Sequence, residues 1–175
     1  VLELTPGASW NMFTKAQPAF TMRGINAGAF GNSSLETAAG LVQDGVPMTK
    51  VFMFVGDIFD VERVEVLRGP QGTLFGKNTT AGVVNVRTKR PVINETSFDG
   101  AVRLGNYGRV EPRVAINIPL VDDTLAFRFA TMYQKSDGYY RNGKVSPGQQ
   151  SPPDNRRIGG DDVISARAKL LWTPN

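Results

Sequence analysis

The chain has 175 residues, 20 Lys and Arg against 16 Asp and Glu, and neither Cys nor His. Lacking Cys, it can make no disulfide, thiolate or cysteine metal site; lacking His, it has no imidazole ligand or base, which removes the Ser-His-Asp triad. The net charge of +4 is spread without a basic run, which argues against a nucleic-acid partner, and no carboxylate, Lys, Tyr or Ser-Lys set stands at a catalytic spacing.

The first residues, Val-Leu-Glu-Leu, carry neither Met nor a signal-peptide pattern, so the natural start is expected upstream. Val1 to Pro18 is weakly patterned, with Pro6, Gly7 and Pro18 as breakers. Ala19 to Arg23 reads as a short strand ending at Arg23-Gly24. Ile25 to Ser34, rich in Gly, Asn and Ser around Phe30, has the composition of a loop. Gly40 to Asp44 gives another short strand, and Asp44-Gly45 followed by Pro47 marks a turn. Met48 to Phe59 is rich in large apolar residues, which suits either core or a loop that offers Phe52, Met53 and Phe54 to a ligand.

Val61 to Leu67 sets apolar Val61, Val64, Val66 and Leu67 against Glu62, Arg63 and Glu65, a β-branched run that favours a strand. It stops at Arg68-Gly69-Pro70, where Gly69 admits unusual φ values and Pro70 gives up its N–H. Gly72 and Gly76 keep the next loop tight, and Val83 to Val86 restarts β structure after Gly82. Gly72, Gly76 and Lys77 do not make a phosphate-binding loop, because Gln71 stands where the first Gly is required and Asn78 where a Ser or Thr is required.

At these residues the chain resembles the plug domain of TonB-dependent outer-membrane receptors. The resemblance rests on VERVEVLRGPQGTLFG, on the following NTTAGVVNVRTKRP, and on the weaker blocks Arg23-Gly24-Ile25 and Val42-Gln43-Asp44-Gly45-Val46-Pro47. It implies that residues 1–91 are a small α+β plug enclosed by a barrel. It also implies that Arg23 and Arg68 pair with barrel-wall glutamates beyond Asn175, and that Gly24, Asp44, Gly45, Gly69, Pro70, Gly72 and Gly76 are the plug's motif turns. Arginine suits the lock because its planar guanidinium makes paired hydrogen bonds to carboxylate. Ligand contact is expected at Asn26, Ala27, Gly28, Ala29 and Phe30 and at Phe52, Met53 and Phe54.

After a linker at 92–96 the pattern becomes regular alternation over 97–175. Phe98, Gly100, Val102 and Leu104 share one face of a first strand. Val110 to Leu120 continues the pattern on every second position, as do Leu125 to Tyr133 and Ile164 to Trp172. Arg103, Arg113, Arg128 and Arg167 all fall on the opposite face. The longest apolar run of the chain, Val51 to Val55, is far short of the roughly 20 residues of a membrane helix, but a membrane strand needs only about 10 of alternating polarity. A tight turn at Val121-Asp122-Asp123, set against the long polar stretch Lys135 to Gly160, matches the short inner turns and long outer loops of outer-membrane barrels. Tyr133 and Trp172, at opposite ends of their apolar faces, fit interfacial aromatic belts.

The expected fold is therefore an α+β plug followed by about the first four antiparallel strands of a transmembrane β-barrel in the bacterial outer membrane. The resemblance implies import of a scarce ligand, a ferric siderophore first among the candidates, with no enzyme activity. It also implies no cofactor bound by the protein itself, with a ferric chelate as a candidate transported ligand. The partners it implies are the TonB energy-transducing complex of the inner membrane, a small-molecule ligand and outer-membrane lipid, with no nucleic acid. The competing account is a soluble or surface-exposed β-rich binding module, whose strands alternate equally well with the apolar face turned inward.

Overall fold

Two of the turn signals form hairpins with two-residue connections. Arg23 and Gly24 stand at φ 55° and 75°, and Asp44 and Gly45 at φ 50° and 86°. Positive φ at both central positions is the type I′ geometry, whose twist matches that of the flanking strands. The computed structural model describes residues 5–14, 17–27, 39–48, 59–141 and 157–174, and the chain divides into two units, Val1–Lys89 and Arg90–Asn175.

The first unit holds two sheets. Strands β1 (Ala8–Thr14), β2 (Gln17–Met22) and β3 (Ile25–Ala27) form an antiparallel sheet in that order. The second sheet has the order β5-β4-β7-β6, built from β4 (Ala39–Gln43), β5 (Val46–Pro47), β6 (Val61–Arg68) and β7 (Gly82–Thr88). β7 runs parallel to β4 and antiparallel to β6. Its position between two strands explains why it reads as a nearly unbroken apolar run. A core of Met22, Ala39, Ala81, Val84 and Val86 packs against Ala8, Leu41, Val61, Val64 and Val66.

Val61 and Val64 are three apart, an odd spacing for one strand face. The register of β6 on β7 shifts between Val61 and Arg63, so a bulge at Glu62 returns both valines to the core side.

Three expectations change here. β1 is a strand despite the breakers around it, because β2 supplies a full antiparallel partner. Ile25–Ala27 is β3, paired to β2, so Asn26 and Ala27 lie on a strand where a loop was expected. The glycine-rich connection after β6 contains one helical turn, α1 (Gly72–Phe75).

The second unit is an antiparallel meander. β8 (Ser97–Gly105), β9 (Arg109–Val121), β10 (Leu125–Ser136) and β13 (Asp161–Trp172) lie in the order β13-β10-β9-β8. A three-residue turn at 106–108 joins β8 to β9, and another at 122–124 joins β9 to β10. Between β10 and β13 the chain forms a small second ribbon, β11 (Tyr140–Arg141) against β12 (Arg157–Ile158). The polar stretch expected from Lys135 thus starts later, since Lys135 and Ser136 still belong to β10.

Candidate functional site

The two arginine-glycine turns come together. Gly82 pairs with Arg68 in the β6–β7 register, and a Cβ on Gly82 would lie 2.1 Å from the Met22 sulfur and 2.4 Å from the Leu67 carbonyl oxygen. Only glycine lets Met22, which is fully buried, seat against that strand end. The next residue, Arg23, then reaches Gly69, its Nη1 standing 3.6 Å from where a Cβ would be. Its backbone N–H donates to the Gly7 carbonyl oxygen at 2.7 Å. Both guanidinium-bearing residues are exposed. Arg23 holds a left-handed conformation that costs a non-glycine residue about 1 kcal/mol or more, so its place in the turn is not explained by turn preference.

The remaining motif residues have local roles. The Asp44 carboxylate accepts hydrogen bonds from the Thr88 N–H at 2.9 Å and the Thr88 hydroxyl at 2.5 Å, tying the β4–β5 turn to the end of β7. Gly69, at φ 93°, donates its N–H to the Ala81 carbonyl oxygen, and Pro70 follows it exposed. Gly76, at φ 75°, closes α1 by donating its N–H to the Gly72 carbonyl oxygen at 3.1 Å. On β6, Glu65 accepts from Arg63 Nε and from Asn85 Nδ2, each at 2.7 Å. The Arg63 bond first, and the Asn85 bond second, hold its carboxyl below the ordinary carboxylate value.

The strands of the second unit are inside out by the standard of a water-soluble sheet. Phe98, Ile164 and Trp172 are 70%, 77% and 67% exposed, whereas Glu111, Asn117 and Arg128 are 0%, 0% and 4% exposed. Rows run across all four strands: Phe98, Ile116, Phe129 and Ala168 share one register line on the apolar face. On the other face Glu111 receives Arg109 at 2.7 Å, Arg103 at 3.3 Å and Arg113. Arg128 reaches Asp99 at 3.4 Å, across the intervening strand. In hydrocarbon an arginine costs about 2 to 4 kcal/mol near the midplane, so this segregation is what a membrane-facing sheet needs.

Trp172 ends β13 on the apolar face, opposite Leu125. Tyr133 is on that face too, opposite Ile164, but three residues short of the end of β10. Of the expected ligand contacts, Asn26 and Ala27 lie on β3; Gly28, Ala29, Phe30, Phe52, Met53 and Phe54 lie outside the described residues.

Two features went unread in the sequence. Tyr107, Tyr139 and Tyr140 form a ring cluster, with centroids 6.4 Å and 4.4 Å apart and the Arg157 guanidinium 5.1 Å from the Tyr107 ring centre. The adjacent Tyr139-Tyr140 was the one available signal. Asn117, fully buried among hydrophobic neighbours in sequence, had none beyond being Asn in a membrane strand. Among the described residues no group of His, Cys, Asp and Glu is placed to hold a metal ion.

Residues 1–83 match the family model described as "TonB-dependent Receptor Plug Domain". The chain is 31% identical over 140 residues to the pesticin receptor of Yersinia pestis, covering 79% of this chain and 19% of that receptor. It is 36% identical over 90 residues to the ferric enterobactin receptor PirA of Pseudomonas aeruginosa, covering 45% of this chain and 11% of that protein. Among solved structures, the ferric yersiniabactin uptake receptor FyuA from Yersinia pestis superposes with a TM-score of 0.75 at 24% identity, covering 98% of this chain and 25% of that one. The chain thus spans about a fifth or less of the length of the curated relatives it matches. With the plug match over residues 1–83 and 31% identity to a curated receptor over 79% of this chain, the chain belongs to the TonB-dependent outer-membrane receptors, and its fold, shared with a solved receptor, is that of a plug followed by strands of the barrel wall.

Proposed function

We propose that the whole protein imports a scarce chelate, a ferric siderophore, across the outer membrane. It carries out no catalysis. The observation that carries this reading is the inverted burial of the sheet: Phe98, Ile164 and Trp172 stand exposed on β8 and β13, while Glu111, Asn117 and Arg128 are buried on β9 and β10. A soluble binding module needs the reverse. The relatives' names, ferric enterobactin receptor and pesticin receptor, support a ferric chelate as cargo.

In this reading, residues 1–91 are the plug, 92–96 the linker and 97–175 the opening strands of the wall. Four strands leave β8 and β13 as open edges, which further wall strands of the full receptor must pair. Arg23, in the β2–β3 turn, and Arg68, the last residue of β6, both exposed, pair with wall carboxylates and keep the plug seated. Asn26 to Phe30 and Phe52 to Phe54 meet the ligand. The TonB complex of the inner membrane, powered by the proton-motive force, displaces the plug.

The test uses cells carrying the intact gene, a panel of radiolabelled ferric chelates, cobalamin and sugars, and an uncoupler. Uptake of a ferric chelate that stops when the proton-motive force is collapsed, while surface binding persists, is the expected result. Absence of binding across the ferric chelates overturns the cargo assignment. Uptake indifferent to the uncoupler overturns the energy coupling.

A further inference from the structure

The linker between the two units is built into the wall. Val92 donates its N–H to Asn117 Oδ1 at 2.9 Å, and Asn117 Nδ2 donates to the carbonyl oxygens of Val92 at 2.9 Å and Glu95 at 2.5 Å. The Asn117 side chain thus offers Val92 the donor and acceptor that a neighbouring strand would offer, on the polar face of β9 and with no exposure to solvent. A buried side-chain amide whose oxygen and nitrogen are both engaged is costly to release, because opening it leaves polar groups unpaired.

A second attachment lies at the β9–β10 turn. Asn94 donates from Nδ2 to Asp123 Oδ1, and Asp123 returns its backbone N–H to Asn94 Oδ1 at 2.8 Å. Both residues hold positive φ, 62° and 61°, which Asn and Asp tolerate better than other side-chain-bearing residues. The same turn is tied to the end of β13, where Thr173 donates its N–H to the Thr124 carbonyl oxygen at 2.8 Å. Residues 91–96 are therefore fixed at two points to β9 and its turn, and the boundary between the units falls before them, at Lys89 and Arg90.

From this we infer that Asn117, with the Asn94–Asp123 pair, is a mechanical stop: tension on the plug unravels the chain as far as Arg90 and halts there. Asn117 is a positioning residue that sets how much of the chain leaves its place when the plug moves. The consequence for transport rests on the import reading above; the stop itself does not. It confines movement to the plug and spares the first wall strand, β8, from being peeled off its neighbour.

The experiment is single-molecule pulling on the full receptor in lipid, with the handle at the N-terminal end of the chain. In the wild type, extension is expected to arrest at a contour length ending near residue 90, before the wall yields. Asn117→Ala is expected to let the arrest run on to the remaining Asn94–Asp123 link, and Asn117→Ala combined with Asn94→Gly to move it six residues onward, past 91–96, a gain of roughly 20 Å at about 3.6 Å per residue. Overall destabilisation lowers forces without moving that length. Asn94→Gly, which keeps the positive φ without strain and removes only the link to Asp123, is expected to lower the force that breaks the arrest and serves if Asn117→Ala does not fold. A wild-type arrest beyond Thr96, an unchanged length in Asn117→Ala, or an unchanged breaking force in Asn94→Gly overturns the stop. Failure of every ferric chelate to enter intact cells, measured in parallel, defeats the import reading alone, because the arrest length is read without it.

Discussion

Gly82 shows how much a single missing side chain decides. Its φ of 152° and the Met22 sulfur in the space a Cβ would fill exclude any other residue there without a shift of backbone or core. Gly82→Ala is expected to weaken the β6–β7 pair by about 2 kcal/mol or more, read as a loss of at least about tenfold in hydrogen-exchange protection of β7 amides in the purified receptor. Glu65 gives a pH prediction with a definite sign. Its carboxyl is held below the ordinary value by Arg63 and then Asn85, so the stability it adds is present above the unfolded value and is lost as pH falls through the folded one. Thermal unfolding between about pH 6 and about pH 3 should therefore fall less steeply in Glu65→Gln than in wild type, since Gln has no such proton to bind. The sequence made the Asp44-Gly45 turn legible, because positive φ leaves a mark in residue choice, whereas at Arg23-Gly24 only the glycine carries that mark and Arg23 reads as strand. It could not show why Gly82 is glycine, since the reason is a methionine sixty residues away.

Elements were legible where period two repeats without interruption. β9 and β10 alternate over most of their lengths, and their apolar and polar sets fall on the faces the alternation assigns, save Met132, which is buried on the polar face of β10. β1 was not legible, because Pro6, Gly7 and Pro18 outweigh a local strand signal that only pairing with β2 makes decisive. β3 is three residues long and sits in a Gly- and Asn-rich stretch, so its pairing to β2 had to be seen. The bulge at Glu62 left a trace, the spacing of three between Val61 and Val64, that has meaning only once the partner strand is in place. At the element scale, Glu111 holds β8 and β9 together near the turn at 106–108 by gathering Arg103, Arg109 and Arg113. Glu111→Gln leaves those guanidiniums mutually repelling and should cost on the order of 2 kcal/mol, seen as a lower urea midpoint for refolding into lipid vesicles. On the other face, Phe129→Arg places a charge in mid-strand and should lower the same midpoint by about 2 to 4 kcal/mol equivalent.

For the molecule as a whole, what matters is that burial runs opposite ways in its two units. The first unit buries Val84 and Val86 in an ordinary apolar core, and the second buries Glu111, Asn117 and Arg128 while exposing Phe98, Leu104 and Leu170. Alternation alone was compatible with either a sandwich or a membrane wall; the exposed apolar face separates them, and the plug match to residues 1–83 makes the same choice independently. The measurement that tests this most directly is nitroxide scanning of the full receptor in lipid, comparing collisions with oxygen, which enriches in hydrocarbon, against a water-soluble nickel chelate. Labels at Ile116, Phe129 and Ala168 are expected to favour oxygen, and labels at Ala115, Ala130 and Arg167 to lose that preference, alternating residue by residue. A scan in which the first set is shielded from both reagents, as in a protein core, would contradict the account.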